Sequence, residues 1–281
     1  MSTALDPNAR AGSPATSPAD DRDAYMTFND VGLTYSIKGT ENPVLSDIDL
    51  SVRRGETVCL VGASGCGKST LLNIAAGFLT PTSGTATVQG QPISKPGADR
   101  VMVFQEDATF PWYTVRENIA YGLRVQGLSR QKITQRVDEM LELVGLSSYA
   151  DAYPRQLSGG MRKRCDMARG MAVAPAAILM DEPFAALDVM TKERLQVQFR
   201  EIGRLGDLTS LFVTHDLEEA LFVGDRVAIL RKGAGPFLAL VDVPLPKDRD
   251  VAIKTSPEFQ ALRSELAGYI ADNRSAEEAA A

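Results

Sequence analysis

Thr57-Val58-Cys59-Leu60-Val61-Gly62-Ala63-Ser64-Gly65-Cys66-Gly67-Lys68-Ser69-Thr70 is the stretch from which the rest of the fold can be read outward. Its first five residues are a short apolar run ending at glycine, the pattern of a strand buried on both faces. Its last nine fit G-x-x-x-x-G-K-[ST] and open a helix predicted from Lys68 to about Leu79. Glycines let the backbone curl so that successive N–H groups face one anion. The helix start adds partial positive charge at the same place. Lys68 is then positioned for the β- and γ-phosphates of a nucleotide, and the Ser69 hydroxyl for magnesium. A glycine-rich turn with an incidental lysine would need neither the strand before it nor the helix after it.

Further apolar runs at Arg100 to Phe104, Ala177 to Met180, Leu211 to Thr214 and Arg226 to Leu230 predict more buried strands, separated by helical stretches. That alternation predicts an α/β fold with a mostly parallel sheet core. Tyr25–Tyr35 and Thr85–Ile93 read as antiparallel hairpins beside it, with a turn at Pro81-Thr82-Ser83-Gly84. From about 107 to 168 the pattern is helical, and Ile133, Val137, Met140, Leu141 and Val144 form one apolar stripe of core packing. The proline- and serine-rich residues 1–24 are expected to be a disordered extension. Residues 25–232 form the main domain, 233–272 a strand and helix extension, and 273–281 a loose tail. In the extension, Phe259, Leu262, Leu266 and Ile270 recur at helical spacing behind a Ser256-Pro257 start. That helix is expected to dock on the core, with contact to a membrane partner as the other reading.

The chain has 281 residues, with 30 basic and 36 acidic side chains for a net charge of −6. That balance argues against coating nucleic acid by bulk electrostatics. No apolar run approaches the roughly 18 residues of a membrane-spanning helix, and MSTALDPNAR lacks the pattern of a secretory signal. Cys59, Cys66 and Cys165 have no ligand spacing, which excludes a disulfide framework or zinc site. The chain reads as reduced, cytosolic and globular.

Ile178-Leu179-Met180-Asp181-Glu182-Pro183 delivers two adjacent acids at the carboxyl end of a strand, where open α/β sheets bind ligands. Asp181 suits magnesium, and Glu182 suits a general base that polarises an attacking water. Leu157-Ser158-Gly159-Gly160-Met161 precedes a helix beginning near Arg162 and reads either as a capped helix start or as a second anion site.

Phosphate loop, Gln105, LSGGM, MDEP, Ala186-Leu187-Asp188 and His215 occur in the order of an ABC-transporter ATPase, which the chain resembles from Tyr25 to Leu230. The resemblance implies a P-loop ABC ATPase fold with an antiparallel β subdomain and an inserted α-helical subdomain, and ATP and Mg2+ as ligands. By the same resemblance Tyr35 stacks on adenine, with Phe28 the weaker candidate. Gln105 becomes the Q-loop glutamine, sensing magnesium and γ-phosphate. Ser158, Gly159, Gly160 and Met161 form the signature that binds nucleotide held by the opposite subunit. Asp188 becomes the D-loop acid, and His215, the single histidine, the switch residue at the γ-phosphate. A lone histidine can be structural; its place between Phe212-Val213-Thr214 and a helix start at Asp216 favours the switch role. Met161 stands where the family usually has glutamine, and methionine does not make an amide's polar contacts.

Met161-Arg162, the run Phe104 to Trp112 and the stretch Val213 to Ala220 are similar to the nitrate/sulfonate/taurine importer branch. The resemblance then implies a homodimer with two shared ATP sites, at the cytoplasmic face of the membrane. A separate transmembrane permease and, indirectly, an extracytoplasmic solute-binding protein would complete the system. The alternative is a soluble mechanochemical ABC ATPase acting on nucleic acid or ribosomes. Only 53 residues separate Gln105 from Ser158, too few for a long coiled-coil excursion. A kinase or GTPase would share the phosphate loop and leave the signature unexplained. Phe110, Trp112 and Tyr113 read equally as a groove for a permease helix or as packing of the insert. Arg162-Lys163-Arg164 reads as a solvated helix face.

Overall fold

The computed structural model of the chain describes residues 23–106 and 108–280. The extension expected at 1–24 therefore lies outside the described residues, except that Ala24 already opens the first strand. Strands β1 (Ala24–Ile37) and β2 (Thr40–Arg53) form a long hairpin, and β4 (Ser83–Val88) and β5 (Gln91–Pro92) extend it into a sheet of order β2-β1-β4-β5. The second sheet contains β3 (Thr57–Val61), β6 (Arg100–Val103), β7 (Ala177–Asp181), β8 (Thr209–Val213), β9 (Arg226–Ile229) and β10 (Ala239–Asp242) in the order β10-β9-β3-β8-β7-β6. All its pairings are parallel except β10 on β9. This is the architecture expected from the sequence, a parallel core with an antiparallel β subdomain and a helical one.

Strand periodicity assigns the layers. Cys59 and Val61 of β3, Ile178 and Met180 of β7, Phe212 of β8, and Val227 and Ile229 of β9 face one core cluster. Their neighbours Val58, Leu60, Ala177, Leu179, Leu211, Val213 and Ala228 face the other. Because side chains alternate across a strand, each continuous apolar run supplies both faces at once. The second cluster also takes in α1 (Lys68–Ala76) and the inner face of the antiparallel sheet. The first contains α2 (Val115–Val125), α3 (Arg130–Leu143) and α4 (Gly159–Ala172), with Val137, Met140, Leu141 and Val144 buried as the stripe predicts. Helices α5 (Val189–Gly206), α6 (Leu217–Val223) and α7 (Pro257–Ala280) cover the rest of that face.

Several details differ from the reading of the sequence. Residues 25–35, expected as a hairpin, lie within the single strand β1, whose hairpin partner is β2. Phe28 is fully buried in the antiparallel layer, so it is excluded as an adenine platform. Gly84 lies in β4 and not in a turn. The tail expected to be loose from 273 is helical, since α7 continues to Ala280. Its Ala- and Glu-rich composition lacks hydrophobes but has high intrinsic helix propensity, which sustains the helix.

Gly84 shows how tightly β4 meets the irregular part of β1. Its φ is +71°, and a Cβ there would sit 2.1 Å from the Asp30 carbonyl oxygen and 2.4 Å from that of Asn29. Both are backbone atoms in a sheet and cannot swing aside. Gly84→Ala is expected to destabilise the chain by roughly 2–3 kcal/mol, combining left-handed strain with the clash. Thermal unfolding monitored by circular dichroism measures it, with the exposed, left-handed Gly90→Ala as the control for strain alone.

Candidate functional site

The parallel order explains why distant residues meet. The phosphate loop follows β3, Asp181 ends β7 and Glu182 follows it, His215 follows β8, and Gln105 follows β6. Parallel strands put all these carboxyl ends on one edge, and β8 sits between β3 and β7. Ser64, Lys68, Ser69, Gln105, Glu182 and His215 accordingly line one open cleft of about 440 Å³.

Gly67 caps α1 at φ +99°, and its missing Cβ would meet Leu45 Cδ2 at 2.6 Å. Glycine therefore serves both the turn and the approach of β2. The Lys68 ammonium is buried and donates to the carbonyls of Gly62 at 2.8 Å and Ala63 at 2.9 Å. Cys66 is buried with Sγ 3.8 Å from Lys68 Nζ. Burial pushes its thiol above the ordinary range despite that ammonium and so favours the protonated form.

Asp181 is buried at the end of β7, and that burial, reinforced by the Glu182 charge, raises its carboxyl above the usual range. A hydrogen bond with Ser69 and the charges of Lys163 and Lys68 oppose the rise. Ser69 hydroxyl, Asp181 carboxylate and Gln105 amide are all hard oxygen donors at one end of the cleft, the kind of set magnesium takes. Glu182 adopts a left-handed φ of 44°, and its N–H donates to the Val213 carbonyl at 3.0 Å. A non-glycine residue held there is strained, which aims the side chain into the cleft. Its carboxylate lies 3.3 Å from Nδ1 of His215, whose ring is 67% exposed. The histidine is thus no satisfied core residue.

Ser158 caps α4, its hydroxyl accepting from the Met161 N–H at 3.3 Å, so the capping reading of this motif holds locally. Gly159 is exposed, and Gly160 packs close to the Ala186 carbonyl and Leu187. Residues 158–160 and 186–188 therefore lie side by side, and none of them is among the residues lining the cleft of the same chain. Met161 packs against the helical-side core, a role that needs no amide. Asp188 caps α5 through the Thr191 N–H at 3.0 Å. Tyr35 is exposed near the tip of the β1–β2 hairpin, paired with Asn42, and is not among the residues lining the cleft; Val44 of β2 is.

The expected solvated face at Arg162-Lys163-Arg164 is corrected by the structure. Lys163 is buried, and its ammonium donates to the carbonyls of Phe104 and, at 3.0 Å, Gln105. Arg162 donates to Leu157 O and Arg164 to Val144 O, each at 2.8 Å. Six residues on from Lys163, Arg169 donates to Ala108 O at 2.7 Å and lies 4.7 Å above the Phe110 ring. The helix that begins with the signature therefore holds the backbone around Gln105. Around Phe110 stand Tyr121 at 4.8 Å, Trp112 at 5.6 Å and Tyr113 at 5.9 Å. Trp112 is 66% exposed, so this cluster is a surface feature more than interior packing.

A phosphate loop after a strand, a buried aspartate, a strained glutamate and a cleft-lining histidine define a P-loop nucleoside-triphosphate-binding protein. Comparison with known proteins narrows the class. The profile of the ABC transporter family matches residues 45–185. The nitrate import ATP-binding protein NrtD of Synechocystis sp. (strain PCC 6803) is 42% identical over 252 residues, covering 88% of this chain and 95% of that one. The bicarbonate transport ATP-binding protein CmpC of Synechococcus elongatus (strain PCC 7942) is 43% identical over 237 residues, covering 83% of this chain and 36% of that longer one. Among solved structures, the dimeric post-hydrolysis state of the ATP-binding cassette MJ0796 bound to ADP and Pi superimposes with a TM-score of 0.71. It is 28% identical and covers 79% of this chain and all of that one. The chain belongs to the ABC transporter family, as an ATP-binding, ATP-hydrolysing cassette.

Proposed function

We propose that this cassette powers a membrane importer for a small solute, of the branch that takes up nitrate, sulfonates or taurine. The observation that carries the chemistry is the gathering of Lys68, Ser69, Gln105, Asp181, Glu182 and His215 around one cleft. Similarity to nitrate and bicarbonate import subunits supports the transport role. No helix among the described residues is long and apolar enough to cross a membrane; in this reading a permease forms the path. The exposed aromatic cluster around Trp112, bound to the Gln105 segment through α4, is a suitable surface for a permease helix.

Lys68 and the loop N–H groups bind the β- and γ-phosphates of ATP, and Tyr35 covers the adenine. Ser69, Asp181 and Gln105 hold magnesium, which when bound neutralises phosphate charge. Glu182 takes the proton of a water that attacks the γ-phosphorus; the bond to the bridging oxygen breaks, leaving ADP and inorganic phosphate. His215 contacts the γ-phosphoryl group and orients it. Ser158, Gly159 and Gly160 face outward, so they complete the site of a second copy. ATP then joins two subunits, and hydrolysis lets them part on the cytoplasmic face of the membrane.

Affinity purification of the chain from its native membranes, followed by mass spectrometry, tests this role. A stoichiometric multi-span permease is the expected partner, and its associated binding protein can then be screened for solute. Recovery with ribosomal or DNA-repair proteins alone overturns the importer assignment.

A further inference from the structure

Both residues that flank His215 are held from one side by side chains the hydrolysis steps do not use, one buried and one half-buried. Thr214 precedes the histidine, and its hydroxyl is hydrogen-bonded to Oε2 of buried Glu219. Asp216 follows it, accepts the Glu218 and Glu219 N–H groups at 2.9 and 3.3 Å, and donates its own N–H to Thr214 Oγ1 at 3.1 Å. Glu219 also accepts from Gln196 Nε2 at 3.2 Å. One cation serves both carboxylates: Lys192 Nζ lies 2.8 Å from Asp216 Oδ2 and 3.6 Å from Glu219 Oε1. The Lys192 backbone N–H donates to the Asp188 carbonyl at 2.9 Å, the first helical bond behind the D-loop cap. A single residue thus has its main chain on the Asp188 carbonyl and its ammonium on Asp216, which follows His215, and on Glu219, which holds Thr214 before it.

We propose that Lys192 is a positioning residue that ties the placement of the D-loop to the placement of His215. The inference rests on the roles proposed above for Asp188 and His215. A shift of Asp188 on approach of the partner subunit moves the first turn of α5, and Lys192 carries that shift into the Asp216–Glu219 pair. The pair is fixed elsewhere: Lys254 donates to Glu193 at 3.2 Å and to Gln196 at 3.4 Å, and Arg249 donates to the carbonyls of Leu221 and Gly224 at the far end of α6. Arg249 therefore holds the carboxyl end of the helix behind His215, and at its amino end Lys192 acts beside Gln196 on Glu219 and Arg263 on Glu218.

Lys192→Met, Lys192→Arg, Asp188→Ala and the double variant Asp188→Ala/Lys192→Met are made in the full chain. Steady-state ATP hydrolysis, equilibrium ATP binding and thermal unfolding are measured for each. Lys192→Met is expected to lower kcat about tenfold while ATP affinity stays within about twofold, and Lys192→Arg to restore most of the rate. The double variant is expected to be no slower than Asp188→Ala alone, because Asp188→Ala removes the capping carboxylate on Thr191 at which the relay starts and Lys192→Met the ammonium at which it ends. Losses that multiply, an unchanged kcat in Lys192→Met, or ATP affinity falling in step with kcat overturns the relay. Should Lys192→Met fail to fold, Glu219→Gln keeps the contacts with Thr214 and Gln196 but removes the charge facing Lys192, and the same non-additivity with Asp188→Ala is required. His215→Ala separates the two levels: a fully active His215→Ala removes the assigned role of the histidine itself, whereas an inactive one with an unaffected Lys192→Met removes only the relay.

Discussion

Glu182→Gln is expected to bind ATP normally and to hydrolyse it about 10²–10⁴-fold more slowly, the range spanned by loss of a positioned general base. The substitution keeps the side-chain volume and leaves the backbone at its left-handed φ of 44°, still donating to Val213 at 3.0 Å. It also keeps an oxygen able to face His215. What disappears is a group that can accept a proton at neutral pH. Lys68, Ser69 and the loop N–H groups, which hold the phosphates, are untouched, so equilibrium nucleotide binding should change only a few-fold. Since ATP joins the two subunits and hydrolysis separates them, the variant should also form a longer-lived dimer. Phosphate release measures the first effect, and light scattering in Mg-ATP the second. Hydrolysis at the normal rate would remove Glu182 from its assigned role.

The parts of this site that could be read from sequence are those whose chemistry is local. The phosphate loop announces itself because strand, glycines, lysine and helix are consecutive, and the Asp181-Glu182 pair because a short apolar run precedes it. Where long-range packing decides, local pattern fails. β2 was not expected because Pro43 and the register shifts opposite β1 interrupt the alternation of Leu45, Ile48, Leu50 and Val52. Lys163 is the sharpest instance. Three consecutive basic residues on a helix point about 100° apart, and nothing in the run tells which one lies beneath the Gln105 backbone. The grouping of Lys192, Asp216 and Glu219 likewise joins two helices that only the sheet order brings together. Tyr35 shows the opposite case, a residue assigned through resemblance whose ring is not among those lining the cleft.

Mixing two inactive variants is expected to restore activity if each site is built from two copies, as proposed. Lys68→Met removes the ammonium of the phosphate loop while keeping an apolar stem in its buried place. Gly159→Asp acts on the other half. The nearest atom to a Cβ at Gly159 is an Arg162 guanidinium nitrogen at 3.8 Å, so the side chain fits without disturbing the subunit. An acid in the first turn of α4 even favours the helix, yet it places a carboxylate where the γ-phosphate of the partner's ATP must bind. Each variant alone should lose turnover by about 10²-fold or more, as when one preorganised electrostatic contact is removed. In an equal mixture, mixed dimers hold one site with both defects and one with neither. With random pairing of a two-fold dimer, half the dimers are mixed, so about a quarter of the native turnover should return. The measurement is phosphate release as a function of mixing ratio, with a maximum near equal amounts. Two folded variants that stay inactive together would show that Gly159 does not complete the site of a second subunit, and a fully active Gly159→Asp would remove the signature from the chemistry.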